Sequence, residues 1–515
     1  MKIFAAFLLT LCLSSAFGQV TSKYIDSVVN ASLTSVEQAG VAVAVVQDGE
    51  VIHSKGYGIA SLETGAKVDE NTLFSIASNS KAFTTASLGM LVDQGKLNWN
   101  DKVVDIIPEF RMYDPYITAH FTIVDLVTHR SGLGLGAGDL MFIPDGSDFT
   151  VDDILTSFQH QEPVSEFRTK YDYDNLLYIV AGEVIHRVSG KPWDQFVEEE
   201  IMQVIGMDRS ATYLENLKTN KNTAKPHSTE NGKLEQINEY MDPNKVFGAA
   251  GGIYASVEDL SHWMLTQLNG GVYQKDTLLQ PQTHAKMWQM QTIIRSSAKG
   301  QGPYNTHYKA YGLGWDLEDK NGYSIVSHTG GMPGMLSHTV LIPELNVGIV
   351  VLTNTSPGGY AFISVMNEIM DAYLEADDMD WMGRIKGYLT RSTDEANEFV
   401  DAVWETCENA KTVHLDFDDF TGAYNDGWFG DVVIENRDGK LWFTSQRSPR
   451  LTGEMFFYQA NTFAIKWEYR EMNCDAFASF TLDENGKATA IQMKGISPNI
   501  DFSFDFHDLD LKRVE

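Results

Sequence analysis

The stretch FSIASNSKAFTTASLGMLVDQGKL, Phe74 to Leu97, decides how this chain is read. It places Ser78 three residues ahead of Lys81 at the start of what reads as an amphipathic helix. Residues three apart on a helix share a face, so the lysine amine reaches the serine hydroxyl. A serine hydroxyl is a weak nucleophile until a base takes its proton. Lysine acts as that base only when burial or neighbouring positive charge brings its pKa down from about 10.4. The helix start adds partial positive charge and free N–H groups that stabilise a developing oxyanion. S-x-x-K recurs at Ser296 to Lys299, but there it runs into GQGPYN and reads as a surface loop without helical phase.

Two further polar groups lie downstream. KYDYDNLLYIVAGEVIHRVSG holds Tyr173-Asp174-Asn175, the only Y-x-N among 21 tyrosines. A buried tyrosine facing a lysine can have its pKa lowered from about 10, and as phenolate or relay it moves a proton to a leaving group. Asn175 offers an amide to orient a substrate carbonyl or the lysine. In SIVSHTGGMPGMLSH, His328-Thr329-Gly330-Gly331 follows a strand spanning Tyr323 to Ser327. A polar H-T-G on a strand edge, with glycines admitting a substrate backbone, suits an extended acyl group.

The surrounding pattern places these groups in one fold. GVAVAVVQDGEVIHSKGYG reads as strands Val41 to Gln47 and Val51 to Tyr57 around an Asp48-Gly49 turn. From Thr72 to about Thr266 the pattern is helical, and strands return in YGLGWDL, GYSIVSH, LSHTVLIPE and VGIVVLTN. Early and late strands around a helical insert predict an α+β fold: one antiparallel sheet, flanking helices and an inserted helical subdomain. Ala361 to Ala376 reads as a helix, followed by a charged helical connector over 377–414. From about Phe417, short aromatic strands turning at Asp438-Gly439 and Asn485-Gly486 predict a small all-β barrel or sandwich over 415–515. Such an aromatic pattern is more often simple core than a binding face.

Composition narrows the partners. The chain of 515 residues carries a formal charge of −31, which disfavours nucleic acid, since phosphate binding needs a basic surface. Lys2, the apolar run Ile3 to Leu13, and Ala16 and Gly18 read as a secretory signal over 1–18, cleaved before Gln19, so a secreted or periplasmic protein is expected. No later stretch approaches membrane-spanning length. Cys407 and Cys474 remain after processing and could pair. No CxxC or HExxH occurs and the 13 histidines show no ligand spacing, so neither a metal nor another cofactor is expected. The partner expected is a small-molecule or peptide substrate.

With S-x-x-K, Y-x-N and H-T-G in this order, the chain resembles the serine β-lactamase and penicillin-binding D-alanyl peptidase superfamily, in its class C-like branch. DLVTHRSGL (Asp125 to Leu133) and GAAGGIYASVEDLSHWM (Gly248 to Met264) agree, and the likeness covers about Ile25 to Ala376, within a hydrolase domain of 19–376. The tail resembles lipocalin-like C-terminal modules of some D-peptidases. The resemblance implies Ser78 as acylated nucleophile, Lys81 and Tyr173 together as base and acid, and Asn175 as orienting group. It also implies His328 and Thr329 along the substrate edge, Gly330 and Gly331 beside them, and an oxyanion hole from the N–H groups of Ser78 and Gly331. In penicillin-recognising members the His328 position is usually lysine. A mostly neutral imidazole favours peptide, amide or ester hydrolysis, D-amino-acid peptides included, over β-lactam hydrolysis. A β-lactamase proper and a catalytically silent ligand-binding receptor are the alternative readings.

Overall fold

The structure, a computed structural model, describes residues 20–217, 222–230, 232–357, 361–410 and 415–514. The secretory signal expected over 1–18 lies outside the described residues. The long strands of the first domain are β1 (Gly40–Gln47), β2 (Glu50–Gly58), β3 (Thr292–Gln301), β4 (Thr306–Tyr311), β5 (Asp316–Lys320), β6 (Tyr323–Met332), β7 (Met335–Ile342) and β8 (Val347–Thr353). The longer helices are α1 (Ser22–Ser35), α2 (Ser80–Asp93), α3 (Leu176–Ser189), α4 (Val257–Leu268), α5 (Ala361–Leu374) and α6 (Trp381–Asn409).

One eight-stranded antiparallel sheet runs β3-β4-β5-β6-β7-β8-β1-β2. Chain-distant strands meet where β1 pairs with β8, Val41 opposite Thr353 and Gln47 opposite Val347. The β1–β2 hairpin turns on Asp48 and Gly49, both at positive φ (53° and 84°), the backbone a tight two-residue turn requires. Side chains alternate across a strand. Val41, Val43 and Val45 therefore join Ile25 and Val29 of α1 and Val365 and Ile369 of α5 in one core layer. Ala42, Ala44 and Val46 face the helical side with Leu260 and Met264 of α4. Ser296 to Lys299 lies on edge strand β3, not in a loop. Extended backbone puts residues i and i+3 on opposite faces, so this second S-x-x-K cannot form a serine–lysine pair.

The helical insert centres on α2 and α3. α2 is not amphipathic: every residue from Ser80 to Gly89 is buried, as in a helix wrapped on all sides by protein. Three of its hydroxyls donate to backbone carbonyls, Thr85 to Lys81, Ser87 to Phe83 and Thr84 to Ala249, and Ser80 Oγ accepts the Ile253 N–H.

The second domain is a closed eight-stranded barrel of β9 (Gly422–Asp426), β10 (Gly430–Arg437), β11 (Lys440–Ser445), β12 (Thr452–Gln459), β13 (Thr462–Trp467), β14 (Ala476–Leu482), β15 (Ala488–Gly495) and β16 (Leu511–Arg513). Buried rings of Phe420, Tyr424, Phe463 and Phe480 pack edge-to-face, as do Phe443 and Trp467. This aromatic pattern is core. α6 lies against the barrel wall through Val403, Trp404 and Cys407. Cys407 and Cys474 are both buried and unpaired. The barrel is tied to the helical insert by Arg447, which bonds Asp148 and Asp153, and by Arg450 on Asp145.

Candidate active site

The short strand Phe74–Ser75 pairs with Ile253–Ala255 and leads into a single 3₁₀ turn, Ala77–Asn79, from which α2 departs. Ala77, immediately before Ser78, sits at φ +45°, a left-handed conformation that a residue with a Cβ adopts only when its surroundings enforce it. The enforcing contacts are on hand. Ile76 N–H donates to the Ile253 carbonyl, and Ser337 Oγ of β7 donates to the Ile76 carbonyl while accepting from Asn79 Nδ2. Ser78 is the half-exposed residue of this otherwise buried turn.

Lys81 is wholly buried. Its Nζ is 2.8 Å from Asn175 Oδ1, 2.9 Å from the Ala250 carbonyl and 3.0 Å from Ser78 Oγ. The first two atoms only accept, so they take two N–H bonds. In a neutral amine the remaining position is the lone pair, aimed at the Ser78 hydroxyl. Burial pushes the Lys81 pKa down to about 7, against the pull of the Asp139 and Asp174 carboxylates. The amine is thus available as a base near neutrality.

Asn175, at the entry to α3, holds that geometry: its Nδ2 donates to Asp139 Oδ2 at 2.8 Å. Burial raises the Asp139 pKa well above the ordinary carboxyl range, and that of Asp174 to about 7. The Tyr173 ring centroid is 4.8 Å from Lys81 Nζ, and its hydroxyl bonds Ser78. Its pKa is raised well above 10 by burial, so the lowering anticipated for a tyrosine facing a lysine does not occur. Loss of solvation, with the Tyr178, Asp316 and Asp139 groups adding to it, outweighs the bond to Ser78. Tyr173 is therefore held as a protonated phenol, a donor. Behind it stands His129, buried, with Nδ1 accepting the Asp174 N–H and its ring 4.3 Å from that of Tyr173.

The H-T-G-G segment splits by face. His328 is only 2% exposed; Tyr311 OH donates to its Nε2 at 2.9 Å and its Nδ1 donates to the Thr329 carbonyl at 2.6 Å. Burial, aided by the Lys81 charge, drives its pKa to about 3. His328 is thus a neutral support, where a residue lining the substrate edge was anticipated. Thr329 and Gly331 are the exposed pair. Gly330 packs so close that a Cβ there would sit 2.2 Å from the Ile76 carbonyl and 2.9 Å from Ser78 N. β5 begins at Asp316, opposite Ser327, so its pairing with β6 stops there, whereas β7 follows β6 to Met332. One backbone edge from His328 to Met332 is therefore open beside Ser78, the arrangement that accepts an extended segment as an added strand.

All eight residues singled out in the sequence fall within this one region. Asp139, Ser337, Tyr311 and the Ala250 carbonyl were not singled out. Asp139 stands in a glycine-rich loop with no local motif, and a carbonyl has no sequence signature. Among the described residues no three His, Cys, Asp or Glu side chains form a metal-holding group, and no helix is long and apolar enough to cross a membrane.

Residues 25–364 match the Beta-lactamase family, and residues 408–513 match a domain of unknown function, DUF3471. The unguisins hydrolase ungD' of Aspergillus campestris (strain IBT 28561) is 30% identical over 352 residues, 66% of this chain and 64% of the relative. The unguisins hydrolase ungD of Aspergillus violaceofuscus (strain CBS 115571) is 27% identical over 442 residues, 80% of this chain and 76% of the relative. Protein flp of Staphylococcus aureus (strain NCTC 8325 / PS 47) is 27% identical, covering 65% and 63%. The chain thus spans just under two-thirds of the first and third of these relatives. Among solved structures, the octameric penicillin-binding protein homologue from Pyrococcus abyssi superposes with a TM-score of 0.59 at 18% identity, over 95% of this chain and 99% of that one. The penicillin binding protein from Bacillus halodurans gives 0.55 at 22% identity, over 67% and 99%. These two share the fold.

Proposed function

Because the chain belongs to the Beta-lactamase family, we propose that it is a serine hydrolase that forms an acyl-enzyme on Ser78 and cleaves an amide, peptide or ester bond. The observation that carries this reading is the buried Lys81 amine, whose two fixed acceptors leave its third position for Ser78 Oγ.

As Ser78 Oγ bonds to the substrate carbonyl carbon, Lys81 takes the hydroxyl proton. Charge gathers on the carbonyl oxygen, where the N–H groups of Ser78 and Gly331 receive it. The tetrahedral species collapses as the bond to the leaving group breaks. Tyr173 gives its proton to the departing nitrogen or oxygen and recovers one from Lys81. Water then repeats the sequence in reverse, Oγ leaving as the serine hydroxyl.

The open edge of β6 binds the acyl chain, with Thr329 and Gly331 exposed along it. A neutral His328 supplies no cation for a carboxylate beside the scissile bond, which favours esters, amides and internal peptide bonds, D-amino-acid peptides included. Relatives named as unguisins hydrolases are in keeping with a hydrolase. Export through a leader over 1–18 is part of the proposal, and the N-terminus of the secreted protein tests it.

Intact-mass spectrometry after exposure to a fluorophosphonate, and separately to a penicillin, tests the reaction, with Ser78→Ala as control. One adduct on Ser78 from the fluorophosphonate is expected. A penicillin adduct as well moves the substrate toward β-lactams and peptidoglycan peptides. A folded protein that takes neither label leaves the scaffold as a silent receptor.

A further inference from the structure

The segment between β15 and β16 leaves the barrel and enters the catalytic domain. Asp505, wholly buried, accepts the backbone N–H of Gly138 at 2.7 Å on Oδ2 and that of Leu140 at 3.0 Å on Oδ1. Ser503 Oγ donates to Asp139 Oδ2 at 2.7 Å. The Phe502 ring stands edge-on to Tyr173, 6.0 Å between centroids, and a Cβ on Gly136 would meet Phe502 Cδ2 at 2.8 Å.

Asp139 Oδ2 therefore accepts two donors at once, Ser503 from the barrel and Asn175 from the catalytic domain. Asn175 in turn holds Lys81. We propose that the barrel completes the acylation site, with Ser503 a positioning residue that acts through Asp139 and Asn175 on the Lys81 amine. The inference rests on Ser78 being the nucleophile.

Mere adhesion between the domains does not call for this arrangement. Arg447 and Arg450 already join them, partly exposed. A buried carboxyl is a poor adhesive, since the loss of its hydration offsets what its bonds return. What the Asp139 carboxyl gains from its buried position is a fixed orientation, and Ser503 is the second of the two donors that set it.

The groups facing Lys81 are Asp139, Asp174, His129, His328 and the Tyr173 and Tyr178 rings. Those facing Asp139 are Lys81, Asp174 and Asp505. Both histidines are held neutral, so the carboxyls are the charges that oppose or favour the Lys81 ammonium. Burial already favours the neutral Asp139 carboxyl, and removing the Ser503 donor, which favours the ionised form, shifts it further that way. The ammonium then loses opposing charge, and Lys81 deprotonates at lower pH.

The test is the rate of Ser78 labelling by a fluorophosphonate against pH, on the full chain carrying Ser503→Ala or Ser503→Thr. Ser503→Ala is expected to move the acid limb to lower pH and to lower the plateau about tenfold, the loss of one buried hydrogen bond. Ser503→Thr, which keeps the hydroxyl, restores both. Ser503→Cys, similar in volume but a poor donor, replaces the alanine variant if that does not fold. A wild-type plateau and acid limb in Ser503→Ala overturns the inference while leaving Ser78 as nucleophile. Equal impairment in Ser503→Thr overturns it too, since packing alone would then be at stake. A wild-type chain that takes no label sinks the nucleophile and this inference together.

Discussion

Lys81 Nζ lies 3.0 Å from Ser78 Oγ, and its two other partners, the Asn175 amide oxygen and the Ala250 carbonyl, can only accept. That asymmetry orients the amine. Losing a proton costs it the bond to Ser78 as acceptor and offers Ser78 a base instead. Tyr173 bonds the same hydroxyl but is held protonated by burial, so in the proposed reaction the two groups divide the work: Lys81 takes a proton and Tyr173 supplies one.

Tyr173→Phe is therefore expected to slow substrates according to their leaving group. With one acyl chain presented as p-nitroanilide and as p-nitrophenyl ester, the anilide, which must be protonated to leave, loses about 10²- to 10⁴-fold in kcat/KM. The ester, which departs as a stable phenolate, loses much less. Equal losses would remove Tyr173 from the acid role.

The pH profile of kcat/KM is expected to show an acid limb near 7. Lys81 is depressed from its ordinary value to about 7 by burial. Below that pH it is an ammonium without a lone pair and the rate falls; above it the rate reaches its plateau. His328, held to about 3, is already neutral throughout. His328→Gln should leave the limb in place, and a limb that moves with this substitution would reassign the base.

Gly330→Ala and Gly331→Ala separate close approach from open edge. The first Cβ would meet the Ile76 carbonyl at 2.2 Å and must push β6 away from the Ser78 turn, whereas the second meets only Leu336 Cδ2, at 3.4 Å. Fluorophosphonate labelling should collapse in Gly330→Ala alone, and both variants should be compared by thermal melting.

Asp125 anchors the loops that present His129 and Tyr173. It is fully buried, and accepts from Arg130 Nε, Arg168 Nε and Thr122 N–H, each at 2.9 Å. Burial alone would raise its pKa, but the bonds from Arg168 and Thr122 and the Arg130 charge outweigh it and hold the carboxyl below its ordinary range. Its contribution to stability is present above the unfolded pKa of about 3.9 and is lost as pH falls through the lower folded value. Asp125→Ala should cost about 2–3 kcal/mol at pH 7 in urea melts, discounted because Arg168 is partly exposed.

Both cysteines should resist a thiol reagent in the native chain. Cys407 and Cys474 are buried and unpaired, and burial raises both thiols, Cys407 to about 11. Ellman's reagent is expected to react with them only after unfolding. Rapid native reaction would place a thiol at the surface.

The sequence by itself determined most of the long elements, though it left α1 unread and took β3 for a loop, and it picked out the eight residues that the fold brings together. The β1–β2 turn, the strands returning after the helical insert, the helices at Ala361 and beyond Trp381, and the aromatic strands of the barrel all follow from local periodicity and turn chemistry. Ser78, Lys81, Tyr173, Asn175 and His328 to Gly331 were legible because they sit in short motifs. The tertiary structure alone decided what burial does to them. Desolvation depends on every atom packed around a group, and no spacing records it: it lowers Lys81, keeps Tyr173 protonated and makes His328 a support. Likewise, nothing local to Asp139 or Ser503, 364 residues apart, announces their hydrogen bond. That contact exists only because the barrel's last loop is folded into the catalytic domain.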